Sequence, residues 1–320
     1  MKYYIGIDLG GTNIVASVVD ERYNILATAQ TKTNLPREAE LIVGDMAAMA
    51  RQALTDANLT LADITGVGVG CPGTVNRATG VIEYANNLQF YDLPLRDMLS
   101  ELLDGKEIFL DNDANAAAYG EFLAGGAKGC THAVMVTLGT GVGSGIIIDG
   151  KIYSGFNFAG AEIGHMVIEA GGRACTCGRK GCFEAYSSAS GLIAMTREAM
   201  ERNADSLMWE LADGDLAKVN GKTAFDGMRR GDPAACGVVD EYIRFLATGI
   251  ANIINIFQPE ILCIGGGICK EGETLLKPLR EIISNEVYSR FSKQNTKIVK
   301  AELGNDAGII GAAFLCEMKR

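Results

Sequence analysis

Two short apolar runs, Tyr3–Leu9 and Ile14–Val19, are separated by Gly10-Gly11-Thr12-Asn13. Small and amide residues between two strand-length apolar runs predict a β-hairpin. The plan returns at 132–149 (HAVMVTLGTGVGSGIIID), where Leu138 follows Leu9 by 129 positions, and the same shift carries Gly10 onto Gly139 and Asp20 onto Asp149. An internal repeat of two hairpins is therefore expected. Further apolar runs predict strands at 64–70, 106–110, 133–138, 145–149, 261–264 and 297–301. Helical spacing predicts helices over 38–57, 94–103, 114–124, 187–202, 233–256, 274–290 and 307–317. Strands alternating with helices imply an α/β architecture. The polar stretch 203–232 reads as a surface insertion with a short helix.

A chain of 320 residues corresponds to about two domains. No Pro- or Ser-rich linker divides it, so the domains are expected to share crossing segments. The net charge of −10 disfavours nucleic acid and anionic membrane surfaces as partners. No apolar stretch is long enough to span a bilayer, and Asp8 interrupts the first apolar run too early for a signal peptide. Three of the nine cysteines crowd together and six are scattered, which fits a reducing, cytoplasmic setting. Glycine changes the picture most. The chain has 40, nearly twice the usual share of about 7%, with no collagen period, so many must sit where the backbone turns tightly or is closely approached.

Two nucleotide signatures fail on context. Gly145–Lys151 matches the front of a P-loop, but its body is an apolar strand and Ile152 stands where a Ser or Thr would hold magnesium. Gly68, Gly70 and Gly73 fit G-x-G-x-x-G, yet no helix opens after them. The paired hairpin turns remain, and backbone N–H groups bared by glycine suit a polyphosphate.

His165, Cys175, Cys177 and Cys182 form H-x9-C-x-C-x4-C, a Cys3His set suited to tetrahedral zinc. With no open position the zinc is expected to be structural, in a knuckle over 165–182 that pins the loop carrying Glu162, His165 and Glu184. Asp113 stands between the strand 106–110 and the helix 114–124. It reads either as a helix cap or as a general base whose charge the helix N-terminus favours. Asn112 and Asn115 flank it with neutral hydrogen-bonding groups. Glu162, His165 and Glu184 match neighbouring sugar hydroxyls, with Gly73 and the pair Asn86-Asn87 as further candidates.

On these residues the chain resembles the ROK family (repressor, open reading frame, kinase) of sugar kinases and regulators. Asp8-Leu9-Gly10-Gly11-Thr12-Asn13 is similar to the family's first phosphate motif, and Leu138-Gly139-Thr140-Gly141-Val142-Gly143 to its second. Pro259-Glu260 with Gly265-Gly266-Gly267 is similar to its adenosine segment, and the Glu162–His165 and Cys175–Glu184 stretches to its signature. Ser144 departs from the glycine of many relatives.

The resemblance implies an actin-like ATPase (ribonuclease H-like) fold, two related α/β domains around a central cleft. The expected division is a small domain over 1–112, with a C-terminal helix at about 303–320 returning to it, and a large domain over 113–302. It further implies that Asp113 deprotonates the sugar 6-hydroxyl for attack on the γ-phosphate of MgATP, and that Asp8 helps to place Mg2+ through water. Gly73, Asn87, Asn112, Glu162, His165 and Glu184 are then expected on the sugar, His165 serving zinc with its other ring nitrogen. Gly10, Gly11, Thr12, Asn13, Gly139, Thr140, Gly141 and Gly265–Gly267 are expected on the nucleotide. Within the family, the length and the segment Lys222–Asp232 resemble bacterial glucokinases most. The alternatives are a kinase for fructose, mannose, allose or N-acetylmannosamine, or a sugar-responsive regulator. A homodimer or higher homo-oligomer is expected.

Overall fold

The structure, a computed structural model, describes residues 1–318. Its first half contains strands β1 (Tyr3–Leu9), β2 (Asn13–Asp20), β3 (Ile25–Lys32) and β4 (Ile64–Cys71), then β5 (Thr74–Asn76), β6 (Val81–Ala85), β7 (Phe90–Leu93) and β8 (Ile108–Asn112). The second half adds β9 (Ala133–Leu138), β10 (Val142–Ile148), β11 (Lys151–Tyr153), β12 (Ile261–Gly265) and β13 (Lys297–Lys300). One five-stranded sheet runs β3-β2-β1-β4-β8 and the other β11-β10-β9-β12-β13. Both carry the same order: a hairpin whose first strand is central, an outer strand beside its return, and two later strands on the other side. The repeat at a spacing of 129 residues is thus a repeat of topology. β1 pairs antiparallel with β2 and parallel with β4, and β12 pairs parallel with β13. The α/β class and the duplicated sheets are those expected of an actin-like ATPase fold. A small third sheet, β5-β6-β7, was not legible in the sequence, because its strands are three to five residues long and mix polar with apolar positions.

Helix formation follows the apolar spacing. Ile42, Met46, Ala50 and Leu54 recur every fourth residue along Ala39–Asp56 and are buried in one core with Ile5, Ile7, Ile14 and Val18 of the sheet. The helix expected over 187–202 is observed as Ala189–Arg202, started by the Ser188 hydroxyl, which accepts the Gly191 N–H, and a separate short helix, Phe183–Ser187, precedes it. The segment 203–232 holds two short helices, Met208–Leu211 and Thr223–Arg229.

The chain forms two compact units. The first comprises Met1–Met135, Gly145–Ala161 and the segment from Ala301 onward; the second comprises Val136–Ser144 and Glu162–Lys300. The observed division differs from the expected one at 112/113, since helix Asp113–Ala124 belongs to the first unit. Close helix packing is the reason. A Cβ at Gly120 would lie 2.1 Å from the Ala307 carbonyl oxygen, and one at Gly311 would lie 1.7 Å from that of Ala116. The same C-terminal helix, Asp306–Ala313, presses on the sheet at Gly6 and Gly68. Backbone approach of this kind is available only to glycine. The C-terminal helix is shorter than the expected 303–320, and Lys319 and Arg320 lie outside the described residues.

Candidate active site and metal cluster

In the first unit, β1 and β4 are parallel neighbours, as are β4 and β8, so their C-terminal ends lie together. Asp8 sits at that end of β1. Asp113 opens the helix that follows β8. Burial, and then the nearby Asp113 carboxylate, push the Asp8 carboxyl up to about 6. Burial also raises Asp113, opposed by the Ala114 N–H it accepts at 2.9 Å. Two half-buried acids side by side are a costly arrangement in the absence of a cation.

Asn112 is the N-cap of this helix: its Oδ1 accepts the N–H groups of Ala114 (2.9 Å) and Asn115 (3.3 Å), and its Nδ2 donates to the Gly73 carbonyl (3.2 Å). Gly73 has φ +97, and a Cβ there would lie 2.1 Å from the Tyr84 carbonyl oxygen. Packing of the small third sheet therefore already requires glycine at this position. Asn87 is exposed on a short 3-10 turn, Asn86–Leu88. The first glycine turn is tied by the Gly10 N–H to the Asn13 carbonyl (2.9 Å) and by the Thr33 hydroxyl to the Gly10 carbonyl (2.7 Å). Gly11, Thr12 and Asn13 are exposed, and Lys32 Nζ donates to Asn13 Oδ1 (2.9 Å).

In the second unit, the Gly139 N–H donates to the Gly141 carbonyl (3.0 Å). Gly266, at φ +89, lies so near the end of β9 that a Cβ would fall 2.4 Å from the Leu138 oxygen. This brings Gly265–Gly267 beside Gly139–Gly141. The helix Ala189–Arg202 holds the turn from outside, the Ala189 N–H donating to the Gly139 carbonyl and the Ser190 hydroxyl to that of Thr140, both at 2.8 Å.

Glu184 holds it from another side. One carboxylate oxygen accepts the Val142 N–H (3.0 Å) and the other accepts the Thr176 hydroxyl (3.2 Å). A Cβ at Gly141 would lie 2.4 Å from the Glu184 Oε2, so glycine at 141 answers to this side chain. Glu162 precedes the 3-10 turn Ile163–His165, and the buried Ser144 hydroxyl accepts the Ile163 N–H (3.3 Å). Ser144 thus has a contact that glycine could not make, one that motif comparison did not disclose.

The ligand atoms of His165, Cys175, Cys177 and Cys182 all lie within 4.8 Å of one another. Cys175 Sγ is 3.7 Å from His165 Nδ1, and Cys177 Sγ is 3.7 Å from Cys182 Sγ. Bonds of about 2.1–2.3 Å at tetrahedral angles place ligand atoms roughly 3.5–3.8 Å apart, so the four residues fit zinc. The ring turns Nδ1 toward Cys175 Sγ.

Residues 4–319 match the model of the ROK family. The chain is 37% identical over 312 residues to the glucokinase of Thermotoga maritima, covering 97% of this chain and 96% of that protein. It superposes with a TM-score of 0.81 on a ROK family glucokinase from Streptomyces griseus solved in complex with glucose and AMPPNP, at 33% identity and covering 98% of each chain. A xylose repressor from Caldicellulosiruptor bescii is 28% identical over 317 residues, covering 96% of this chain and 76% of the repressor. With both glycine turns, the Asp8 and Asp113 carboxylates and the Cys3His cluster in place, the chain belongs to the ROK family.

Proposed function

We propose that this protein is an ATP-dependent glucokinase that transfers the γ-phosphate of MgATP to the 6-hydroxyl of glucose. The observation that carries the reading is the half-buried Asp113 at a helix N-terminus beside Asp8, in a chain related over its full length to glucokinases. Asp113 takes the proton of the 6-hydroxyl as the oxygen attacks phosphorus in line with the departing ADP. A carboxyl raised by burial is a stronger base than one in water, which suits proton abstraction near neutral pH. Asp8 would hold, through water, the magnesium that accompanies ATP, and that positive charge would relieve the repulsion between the two acids. The backbone N–H groups of the two glycine turns and of Gly265–Gly267 receive the nucleotide.

Glu162, Glu184, Asn87, Asn112 and the Nε2 of His165 hold the remaining sugar hydroxyls. Zinc, when bound, cross-links the knuckle and fixes the His165 ring, a structural task. Catalysis is then positioning and electrostatics, the usual requirement for phosphoryl transfer. The reaction belongs to the cytoplasm, where ATP and free hexose meet. A homo-oligomer is part of the same reading: Ile256, Tyr288 and Phe291 are exposed, and the Tyr288 N–H is bonded to Asn255 Oδ1, beside Ile256.

A coupled ADP-release assay with MgATP across a hexose panel tests the reading, glucose being expected to give the highest kcat/KM. Asp113→Asn is expected to lower kcat about 100- to 10,000-fold while glucose binding persists. Absence of ADP release with every hexose, or near-normal turnover in that variant, would sink it.

A further inference from the structure

Asp111, one residue from the Asn112 cap and two from Asp113, has no part in the chemistry above, yet it is 1% exposed. Its Oδ1 accepts the Asn112 N–H (2.8 Å) and Asn115 Nδ2–H (2.9 Å), and its Oδ2 accepts Arg77 Nη1–H (3.1 Å). A buried carboxylate is tolerated only when paired and hydrogen-bonded, and Arg77 is the cation paired with it here, opposing the burial that pushes the Asp111 carboxyl up. Arg77 comes from the loop between β5 and β6. Its second amino group donates to the Ser154 hydroxyl (2.7 Å), its guanidinium lies 5.6 Å from the centre of the Phe158 ring, and its own carbonyl accepts Arg96 Nη2–H (2.5 Å).

One planar side chain thus holds the turn that carries Asp113 and the start of the segment 154–161. That segment runs directly into Glu162. Phe158 and Ala161 within it adopt positive φ (62° and 69°), an uncommon conformation for residues with a Cβ. A segment in such a conformation needs an external hold to keep it, and the guanidinium supplies one.

We propose that Arg77 is a positioning residue for phosphoryl transfer. Through Asp111 it orients the 112–113 turn, and through Ser154 and Phe158 it holds the segment that leads to Glu162. The inference rests on the kinase reading, with Asp113 as base. A fork geometry is needed, since the two amino groups serve two different partners, and a lysine offers only one point charge.

The test is steady-state kinetics with glucose and MgATP on Arg77→Met, Arg77→Lys, Asp111→Asn and the double variant Arg77→Met/Asp111→Asn, each with its Tm. Arg77→Met is expected to lower kcat ten- to a hundredfold with KM for ATP within twofold, and Arg77→Lys to recover part of the loss. Because both residues act through one contact, the double variant should lose no more than Arg77→Met alone. Should Arg77→Met fail to fold, Ser154→Ala removes one of the two polar contacts, spares the Asp111 pair, and should lower kcat about threefold. Wild-type protein that phosphorylates no hexose overturns the kinase reading. An active wild type with kcat unchanged in Arg77→Met, or in Ser154→Ala if only that variant folds, overturns the role of Arg77, as would losses that multiply in the double variant.

Discussion

The two glycine turns share one plan and are held differently. The first, at Gly10–Asn13, is closed by its own backbone and by Thr33, and its chemistry lies beneath it in Asp8. The residue 129 positions after Asp8 is Thr137, so the second turn lacks that carboxylate. The turn at Gly139–Gly141 is closed by its own backbone as well, and is propped in addition from outside, by Glu184 two residues after Cys182 and by Ala189 and Ser190 at the start of a helix. Glycine accordingly means different things in the two. A Cβ on Gly11 would meet nothing within 4 Å, whereas one on Gly141 would strike Glu184. One duplicated loop keeps open backbone around a charge, and the other rests against the stretch that carries the Cys3His cluster.

The largest separation between the turns should come from the knuckle. Zinc ligation is worth about 10–16 kcal/mol in isolated finger peptides. Cys177→Ala is therefore expected to lose zinc and several degrees of Tm, weakening nucleotide binding through the second turn while Asp8 and Asp113 are undisturbed. Metal analysis with calorimetry checks it, and zinc-free wild type of equal stability would remove the contrast.

The first turn should respond to charge in the opposite sense. Asp8 has a folded pKa of about 6 against a reference of 3.8, so the folded state holds its proton more tightly. That contribution to stability is fully present below the reference value and is lost as pH rises through about 6. At pH 7.5 the buried charge costs up to about 3 kcal/mol. Asp8→Asn should thus raise the Tm of the nucleotide-free protein at pH 7.5, lose that advantage at pH 4, and abolish turnover. Thermal melts at the two pH values decide it; an advantage that is equal at both would contradict the assignment.

Smaller effects sharpen the meaning of each glycine. Gly141→Ala must displace Glu184 and should cost about 1–3 kcal/mol before any ligand is added. Gly11→Ala should leave urea unfolding within about 0.5 kcal/mol and raise only KM for ATP. Equal unfolding midpoints for the two variants would erase the distinction. Ser190→Ala removes one exposed hydrogen bond to Thr140 and should cost about 0.5–1 kcal/mol, with KM for ATP raised about twofold; unchanged kinetics would mean the strut rests on Glu184 alone.

Much of this molecule could be read before folding was considered. The hairpin repeat, the α/β alternation, the Cys3His spacing and the position of Asp113 after a strand are all local patterns, and the strand order and cluster geometry agree with them. The observed strand β8 runs two residues past its expected end at 110, which places Asn112 as cap and Asp113 as first residue of the helix. Less legible were Ser144, whose hydroxyl holds the turn after Glu162, and the Arg77–Asp111 pair, whose members are 34 positions apart. Nothing in the spacing marks such partners.

The sequence by itself determined the α/β alternation, the duplicated hairpins and the Cys3His spacing, and marked Asp113 as a candidate base, because hydrophobic period, glycine turns and cysteine spacing act over a few residues. Only the tertiary structure decided what each of these glycines answers to. Gly6, Gly68 and Gly120 admit the C-terminal helix, Gly311 within that helix admits the backbone at Ala116, Gly141 makes room for Glu184, and Gly11 stays open. Those assignments depend on approach distances between atoms far apart in the chain, where an added methyl either finds space or meets a carbonyl oxygen.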